Sequence, residues 1–264
     1  MSEATTATAA IEAKGVTKIF NEGMDEQVTA LQSVNLDIQP GEFISFIGPS
    51  GCGKSTLLRL IANLIEPTYG NLQIRGKTPQ QARLDRDYGM VFQAATLYEW
   101  RTVKKNVQLP LEIMGFSKTD RDRRAQAMLE LVELGQFGNH YPWQLSGGMQ
   151  QRVSIARALA FEPSILLMDE PFGALDEFTR ERMNMELLDI WQRTNVTIVF
   201  VTHSISEAVF LSSRIVVMSP RPGRITEIVK NDLPYPRDNV TRESATYFEQ
   251  ITAVRELLRD AHDF

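Results

Sequence analysis

Apolar positions along the chain fall into two textures. Up to Gln93 and again after Pro163 they gather in short runs bounded by Gly, Pro and polar clusters, a pattern that predicts β-strands. Ile11 to Phe20 and Thr29 to Ile38 read as strands on either side of a polar loop from Asn21 to Gln27. Pro40-Gly41 turns the chain into the apolar run Phe43 to Ile47. Further strands are predicted at Asn71 to Ile74, Tyr88 to Phe92, Ser164 to Met168, Val196 to Val201 and Arg214 to Met218. Between about 102 and 160 the texture is helical, and Arg121 to Leu134 sets Ala125, Met128, Leu129 and Val132 on one face. A second helix is predicted from Glu177 to Thr194. Strands joined by helical crossovers predict an α/β fold with a largely parallel sheet. Residues of about 94–160 then form an inserted helical subdomain within a main domain of 11–230. Residues 1–10 read as a disordered lead. Leu233-Pro234-Tyr235-Pro236-Arg237 reads as a stiff link to a last helix near 242–261, within a terminal segment of 231–264. No internal repeat is present, so the pattern is that of one unit rather than a tandem pair.

The chain has 264 residues, 43% of them hydrophobic, enough to build one large core or a domain with an insertion. A net charge of −5 argues against a nucleic-acid partner, which calls for a basic face. One cysteine fits a reducing compartment. The apolar runs are too short to span a bilayer, and residues 1–10 lack the basic start and apolar core of a secretory signal. The expectation is a protein soluble by itself, with any membrane role exercised through a partner.

The stretch Gly48-Pro49-Ser50-Gly51-Cys52-Gly53-Lys54-Ser55-Thr56 changes the picture. It fits G-x-x-x-x-G-K-[S/T] at every fixed position, between a predicted strand and a helical run from Thr56 to Ala62. A strand, a glycine-rich turn and a helix start aim backbone N–H groups and a helix dipole at one point, where phosphate binds. Lys54 is expected to reach the β- and γ-phosphates, and Ser55 to set its hydroxyl on Mg²⁺. Cys52 is expected to be a small loop residue.

Two later segments carry complementary chemistry. Ile165 to Glu170 is an apolar strand ending in two carboxylates. Beside a phosphate loop, Asp169 is expected near Mg²⁺ and Glu170 near the water that attacks a γ-phosphate. Leu145-Ser146-Gly147-Gly148-Met149-Gln150-Gln151-Arg152 opens another helix, so Ser146 and the two glycines make a second N-terminus able to receive an anion. A serine N-cap beside a glycine turn accounts for the same residues locally.

Taken together, these segments resemble an ATP-binding cassette (ABC) ATPase over about residues 11–230. Gly48 to Thr56 resembles the Walker A loop, Gln93 the Q-loop, and Leu145 to Met149 the LSGGQ signature with Met149 in place of glutamine. Ile165 to Glu170 resembles Walker B with its catalytic glutamate. Gly173-Ala174-Leu175-Asp176 resembles the D-loop with Gly173 in place of serine, and His203 the switch histidine. The resemblance implies a P-loop NTPase (RecA-like) core with an antiparallel β subdomain and an inserted α-helical subdomain. It implies ATP and Mg²⁺ as cofactors and ATP hydrolysis as activity. Lys54, Gln93, Glu170 and His203 would act catalytically, and Ser55, Gln93 and Asp169 would serve the metal. Phe20 would stack on adenine at the A-loop position, although the residue pattern fits a strand-end core residue as well. Asp176 would bridge two copies, and Ser146, Gly147 and Gly148 would meet the γ-phosphate of the partner copy in a head-to-tail dimer.

A finer similarity concerns importers of nitrate, sulfonates and taurine. It rests on Trp100-Arg101-Thr102-Val103, Asn106-Val107, Pro110-Leu111-Glu112, Ser219 to Ile225 and Leu233 to Asp238. It implies a peripheral subunit at the cytoplasmic face of the membrane, with two integral permease subunits and, indirectly, an external solute-binding protein. The surface Leu97-Tyr98-Glu99-Trp100 would receive a permease helix, although a packed aromatic loop accounts for the same residues. Importers of vitamin precursors share these features, and exporters or lipid-release systems share the core motifs. Soluble ABC ATPases of DNA repair or translation normally carry a coiled-coil insertion or a second cassette, and neither is seen here.

Overall fold

The computed structural model describes residues 8–262; residues 1–7 of the predicted lead lie outside that range. Ala10 is buried and donates its N–H to the Ile38 carbonyl at 2.8 Å.

Alternation within apolar runs builds the sheet. The strands β1 (Ile11–Phe20), β2 (Val28–Ile38), β3 (Phe43–Ile47), β4 (Tyr69–Ile74), β5 (Tyr88–Val91) and β6 (Ile165–Asp169) are followed by β7 (Thr197–Val201), β8 (Arg214–Met218) and β9 (Ile225–Lys230). Six form one sheet in the order β5-β6-β7-β3-β8-β9, parallel except for β9, which returns antiparallel to β8. Successive side chains of a strand point to opposite faces, and both faces here are covered, which is why the runs are continuously apolar. Phe43, Ile47, Leu166, Met168, Ile198 and Phe200 face one core. Ile44, Phe46, Ile165, Leu167, Val199 and Val201 face the other.

That second core is shared with α1 (Lys54–Ile61) and with a three-stranded antiparallel sheet ordered β2-β1-β4, where Ile11 lies opposite both Ile38 and Ile74. The first core is roofed by α3 (Val103–Ile113), α4 (Lys118–Leu131), α5 (Gly147–Leu159), α6 (Glu177–Thr194) and α7 (Ile205–Leu211). Thr102, Ser117, Ser146, Asp176 and Ser204 cap these five helices, each side-chain oxygen accepting from a backbone N–H three residues on. Helices α3, α4 and α5 pack on one another as the inserted helical layer.

Three features depart from the sequence expectation. The six-residue α2 (Pro79–Leu84) is too short for periodicity to register, although Thr78 caps it and Pro79 starts it. Strand β9 lies at the sheet edge and carries Thr226, Glu227 and Lys230, so no apolar run marks it. The predicted last helix divides at Ser244 into α8 (Asn239–Glu243) and α9 (Ala245–His262), and α9 buries Tyr247, Val254 and Ala261 against its own domain.

The proline-rich stretch before α8 is an anchor as well as a link. Arg237 is 5% exposed and its Nη1 donates to the carbonyls of Val209, Phe210 and Ser212 at 2.8–3.1 Å, while Nη2 donates to Leu233 at 2.8 Å. It thereby closes the C-terminal end of α7, where unsatisfied carbonyls favour a cation. Tyr235 lies under the guanidinium, 3.9 Å from ring centre to Cζ, and burial pushes its hydroxyl pKa up to about 12. Asn231 Nδ2 also donates to the Val209 and Ser212 carbonyls, so Arg237→Ala strands the buried Phe210 and Leu233 carbonyls, and it is expected to destabilise the protein by about 3 kcal/mol in denaturant unfolding. A loss below about 0.5 kcal/mol, the usual range for surface changes, would contradict the anchoring role.

Candidate functional site

The site grows from β3. Every residue of that strand is buried, and it pairs in parallel with β7 on one side and β8 on the other, so its C-terminal end is fixed. Ligands of open parallel sheets bind beyond such ends. There the chain enters the loop Gly48 to Gly53 and then α1. Gly53 is the N-cap with φ 103°, and a Cβ at that position would lie 2.6 Å from Leu31 Cδ2, so glycine is required. No side chain caps α1, which leaves its first N–H groups to an incoming acceptor. The space above the loop, about 240 Å³, is lined by Ser50, Gly51, Cys52, Gly53, Lys54, Ser55, Thr56, Glu170 and Arg221. A larger cavity of about 480 Å³ lies at the opposite ends of the strands, beside Gly41, Ile165 and Thr197, and holds none of the candidate residues.

Lys54 is buried to 5% exposure, and its Nζ donates to the Gly48 carbonyl at 2.7 Å and the Pro49 carbonyl at 3.1 Å. Ser55 Oγ donates to Asp169 Oδ1 at 2.7 Å, joining the start of α1 to the end of β6. Glu170, the next residue, has φ 46°, a conformation uncommon for a side-chain-bearing residue and frequent where geometry serves a site. Its Oε2 lies 3.2 Å from His203 Nδ1. Gly173 sits at the centre of the remaining pieces: a Cβ there would lie 3.2 Å from Gln93 Nε2, 3.4 Å from the Glu170 carbonyl and 3.7 Å from His203 Cε1. Gln93, Glu170 and His203 therefore all border Gly173.

A second group assembles elsewhere. Ser146 caps α5, Asp176 caps α6, and a Cβ on Gly148 would lie 2.9 Å from Thr179 Cγ2. The backbone N–H of Thr179 holds the Asp176 carboxyl below its usual pKa. Ser146, Gly147, Gly148 and Asp176 do not line the phosphate cleft; Ser146, Gly147 and Asp176 are solvent-exposed. Phe20 ends β1 at 38% exposure with the Lys18 ammonium 5.2 Å from its ring centre, and it too lies outside the cleft lining.

Oxygen donors suit a hard cation. Ser55 Oγ and Asp169 Oδ1 are adjacent at the cleft, and Mg²⁺ typically takes few protein ligands, completing its shell with phosphate oxygens and water. The residues present fit that ion.

The family described as ABC transporter matches residues 31–173. An uncharacterized ABC transporter ATP-binding protein of Methanocaldococcus jannaschii is 51% identical over 241 residues, covering 91% of this chain and 89% of that protein. The chain belongs to the ABC transporter family. It is an ATP-binding cassette that hydrolyses ATP. A nitrate import ATP-binding protein of Synechocystis is 48% identical over 225 residues, 85% of this cassette and 83% of the relative. A dimeric ATP-binding cassette solved in a post-hydrolysis state with ADP and Pi superposes with a TM-score of 0.72 at 41% identity, covering 83% of this cassette and 98% of the other.

The cassette also uses residues to which the sequence assigned no role. Gln151, buried on α5, donates to the Phe92 carbonyl at 2.9 Å, directly before Gln93. Arg157, on the same helix, donates to the carbonyls of Ala95 and Thr96 at 2.9 Å. Helix α5 therefore holds the Q-loop from both sides. Asn106 is fully buried and binds Tyr98, Arg101 and Thr102 backbone groups at 2.8–3.1 Å, which shapes the loop bearing Trp100, itself 73% exposed. Glu207 was legible in part: Ser204-Ile205-Ser206-Glu207 spells a capping box directly after His203. Its carboxylate accepts from Thr202 Oγ1 instead of closing the box, and Arg180 Nε lies 4.0 Å away.

Burial raises the Glu207 pKa above 4.5, and Thr202, Arg180, His203 and Arg242 oppose the shift without cancelling it. An acid with a raised folded pKa stabilises the fold fully below its unfolded value and loses that contribution as pH rises through the folded value. Glu207→Gln has no such charge to bury. Its stability relative to the parent is expected to increase as pH rises from 4.5 towards neutrality, as read by urea unfolding of both proteins. A flat or falling difference would contradict the burial argument.

Proposed function

We propose that this cassette is the ATPase subunit of an importer of small anions resembling nitrate, sulfonates or taurine. Two copies join head to tail around two ATP molecules at the cytoplasmic face of the membrane, beneath two integral permease subunits, and an external binding protein delivers the solute. No helix among the described residues is long and apolar enough to cross a membrane, so the proposal gives the crossing to the permeases. The cargo class is supported by the nitrate import relative and by the stretches around Trp100, Ser219 to Ile225 and Leu233 to Asp238. The observation that carries the copy-to-copy arrangement is the division of the site. Lys54, Ser55, Asp169, Glu170, His203 and Gln93 converge, while the Ser146 helix start stands apart and exposed. The dimeric cassette at 41% identity supports the same reading.

In this mechanism the N–H groups of Gly51 to Lys54 and the Lys54 ammonium hold the β- and γ-phosphates. Ser55 and Asp169 would hold Mg²⁺, which would supply charge neutralisation for the phosphate oxygens. Glu170 takes a proton from water as its oxygen bonds to the γ-phosphorus and the bond to the bridging oxygen breaks, giving ADP and phosphate. His203 orients Glu170 and reaches the γ-phosphate, Gln93 would serve Mg²⁺ or the attacking water, Phe20 stacks on adenine, and Asp176 meets the partner copy. Ser146, Gly147 and Gly148 of the partner copy close the site over the γ-phosphate.

Glu170→Gln keeps the shape and removes the base. Turnover is expected to fall about 10²- to 10⁴-fold with ATP affinity retained, and the ATP-bound variant is expected to elute as a dimer. Unchanged turnover would remove Glu170 from this role. Purification of the chain in mild detergent from its native membranes is expected to bring down an integral membrane subunit; recovery of soluble partners alone would contradict the importer reading.

A further inference from the structure

Arg221 enters the phosphate cleft from a direction that none of the assigned motifs covers. It belongs to the loop between β8 and β9, lines the cleft beside Lys54 and Glu170, and places Nη2 3.5 Å from the Gly51 carbonyl. Among the described residues no carboxylate lies within ion-pair distance of its guanidinium. Its strongest contact is thus a long bond to one backbone carbonyl, although a guanidinium offers five donors.

The loop that carries it is built to hold a position. Gly223 bridges to β2, its N–H donating to the Ala30 carbonyl at 3.0 Å while its carbonyl accepts from the Gln32 N–H at 2.9 Å. A Cβ on Gly223 would lie 1.9 Å from the Cys52 carbonyl, so the loop touches the phosphate loop backbone to backbone and only glycine fits. Arg224 grips Gln32 Oε1 through Nε at 3.1 Å and Nη2 at 2.5 Å, and its N–H donates to Ser219 Oγ at 3.0 Å. Pro220 and Pro222 flank Arg221 and restrict the backbone on both sides of it. Neighbouring residues therefore spend their contacts on fixing the loop, and Arg221 alone extends into the cleft.

We infer that Arg221 is a second cationic contact to the phosphates of the bound nucleotide, acting beside Lys54 from the opposite wall of the loop. The inference rests on the phosphate-cleft reading above. A guanidinium presents a planar fork that matches phosphate oxygens, whereas Lys54 serves as a point charge. Because Arg221 is exposed, solvent screens it, and the expected effect is modest.

The test measures ATP and ADP dissociation constants, with the nucleotide-free unfolding midpoint, for the parent, Arg221→Ala, Arg221→Lys and Lys54→Ala. Arg221→Ala is expected to weaken both nucleotides roughly tenfold with an unchanged midpoint, and Arg221→Lys to recover part of the loss. If Arg221→Ala binds as the parent does while Lys54→Ala does not, the inference fails and the cleft reading stands. If Arg221→Ala lowers the midpoint and Arg221→Lys binds no better than alanine, the side chain is a loop support and the inference fails. If Lys54→Ala binds as the parent does, the cleft reading itself fails.

Discussion

Lys54 holds an ammonium inside the fold with no carboxylate in ion-pair contact among the described residues; its partners are the Gly48 and Pro49 carbonyls and, at 3.7 Å, Cys52 Sγ. A buried charge compensated only by dipoles is costly, and an anion arriving at the open N–H groups of α1 offsets that cost. The surrounding architecture serves this condition. Strand β3 is locked between β7 and β8, so the loop it feeds cannot withdraw. The Ser55–Asp169 bond ties α1 to β6, which brings Glu170 over the same point. His203 arrives at the end of β7 and contacts Glu170. A phosphate chain is the ligand that answers an ammonium, a helix start and a hard-cation pair at one place.

Much of this was legible in the sequence because it is written locally. The strands around the site are buried on both faces, so they appear as unbroken apolar runs, and α6 is bounded by an aspartate cap and a left-handed Asn195 where the sequence places its ends. The phosphate loop, the Asp169-Glu170 pair and the Ser146 helix start are contiguous motifs whose residue types state their chemistry. What escaped has a common physical form. Arg221, Gln151, Arg157, Asn106 and Arg237 all donate to backbone carbonyls. Every residue has a carbonyl, so such a contact leaves no complementary residue type elsewhere in the sequence to betray it. Edge strand β9 and the short α2 escaped for a different reason, having neither the apolar run nor the length that periodicity needs.

The Gly173 position shows how a departure from the expected motif reads in three dimensions. Serine is usual in the family resemblance, and a Cβ here would lie 3.2 Å from the Gln93 amide nitrogen, 3.4 Å from the Glu170 carbonyl and 3.7 Å from the His203 ring, so this position borders all three. The same loop continues to Leu175 and Asp176 at the start of α6, against which the Ser146 helix packs through Gly147 and Gly148. One short segment therefore borders Gln93, Glu170 and His203 at one end and the Ser146 helix start at the other.

In the proposed dimer each working site takes its phosphate loop from one copy and its Ser146 helix start from another. Mixing two disabled variants tests it most directly. Lys54→Ala removes the ammonium, and Gly147→Asp sets a carboxylate on an exposed position of the helix start, where it repels phosphate without disturbing the core. Each variant alone is expected to be inactive, whereas a mixed dimer contains one site with both halves intact. Recovery of ATP turnover on mixing is the predicted result; a mixture as inactive as its components would contradict the account.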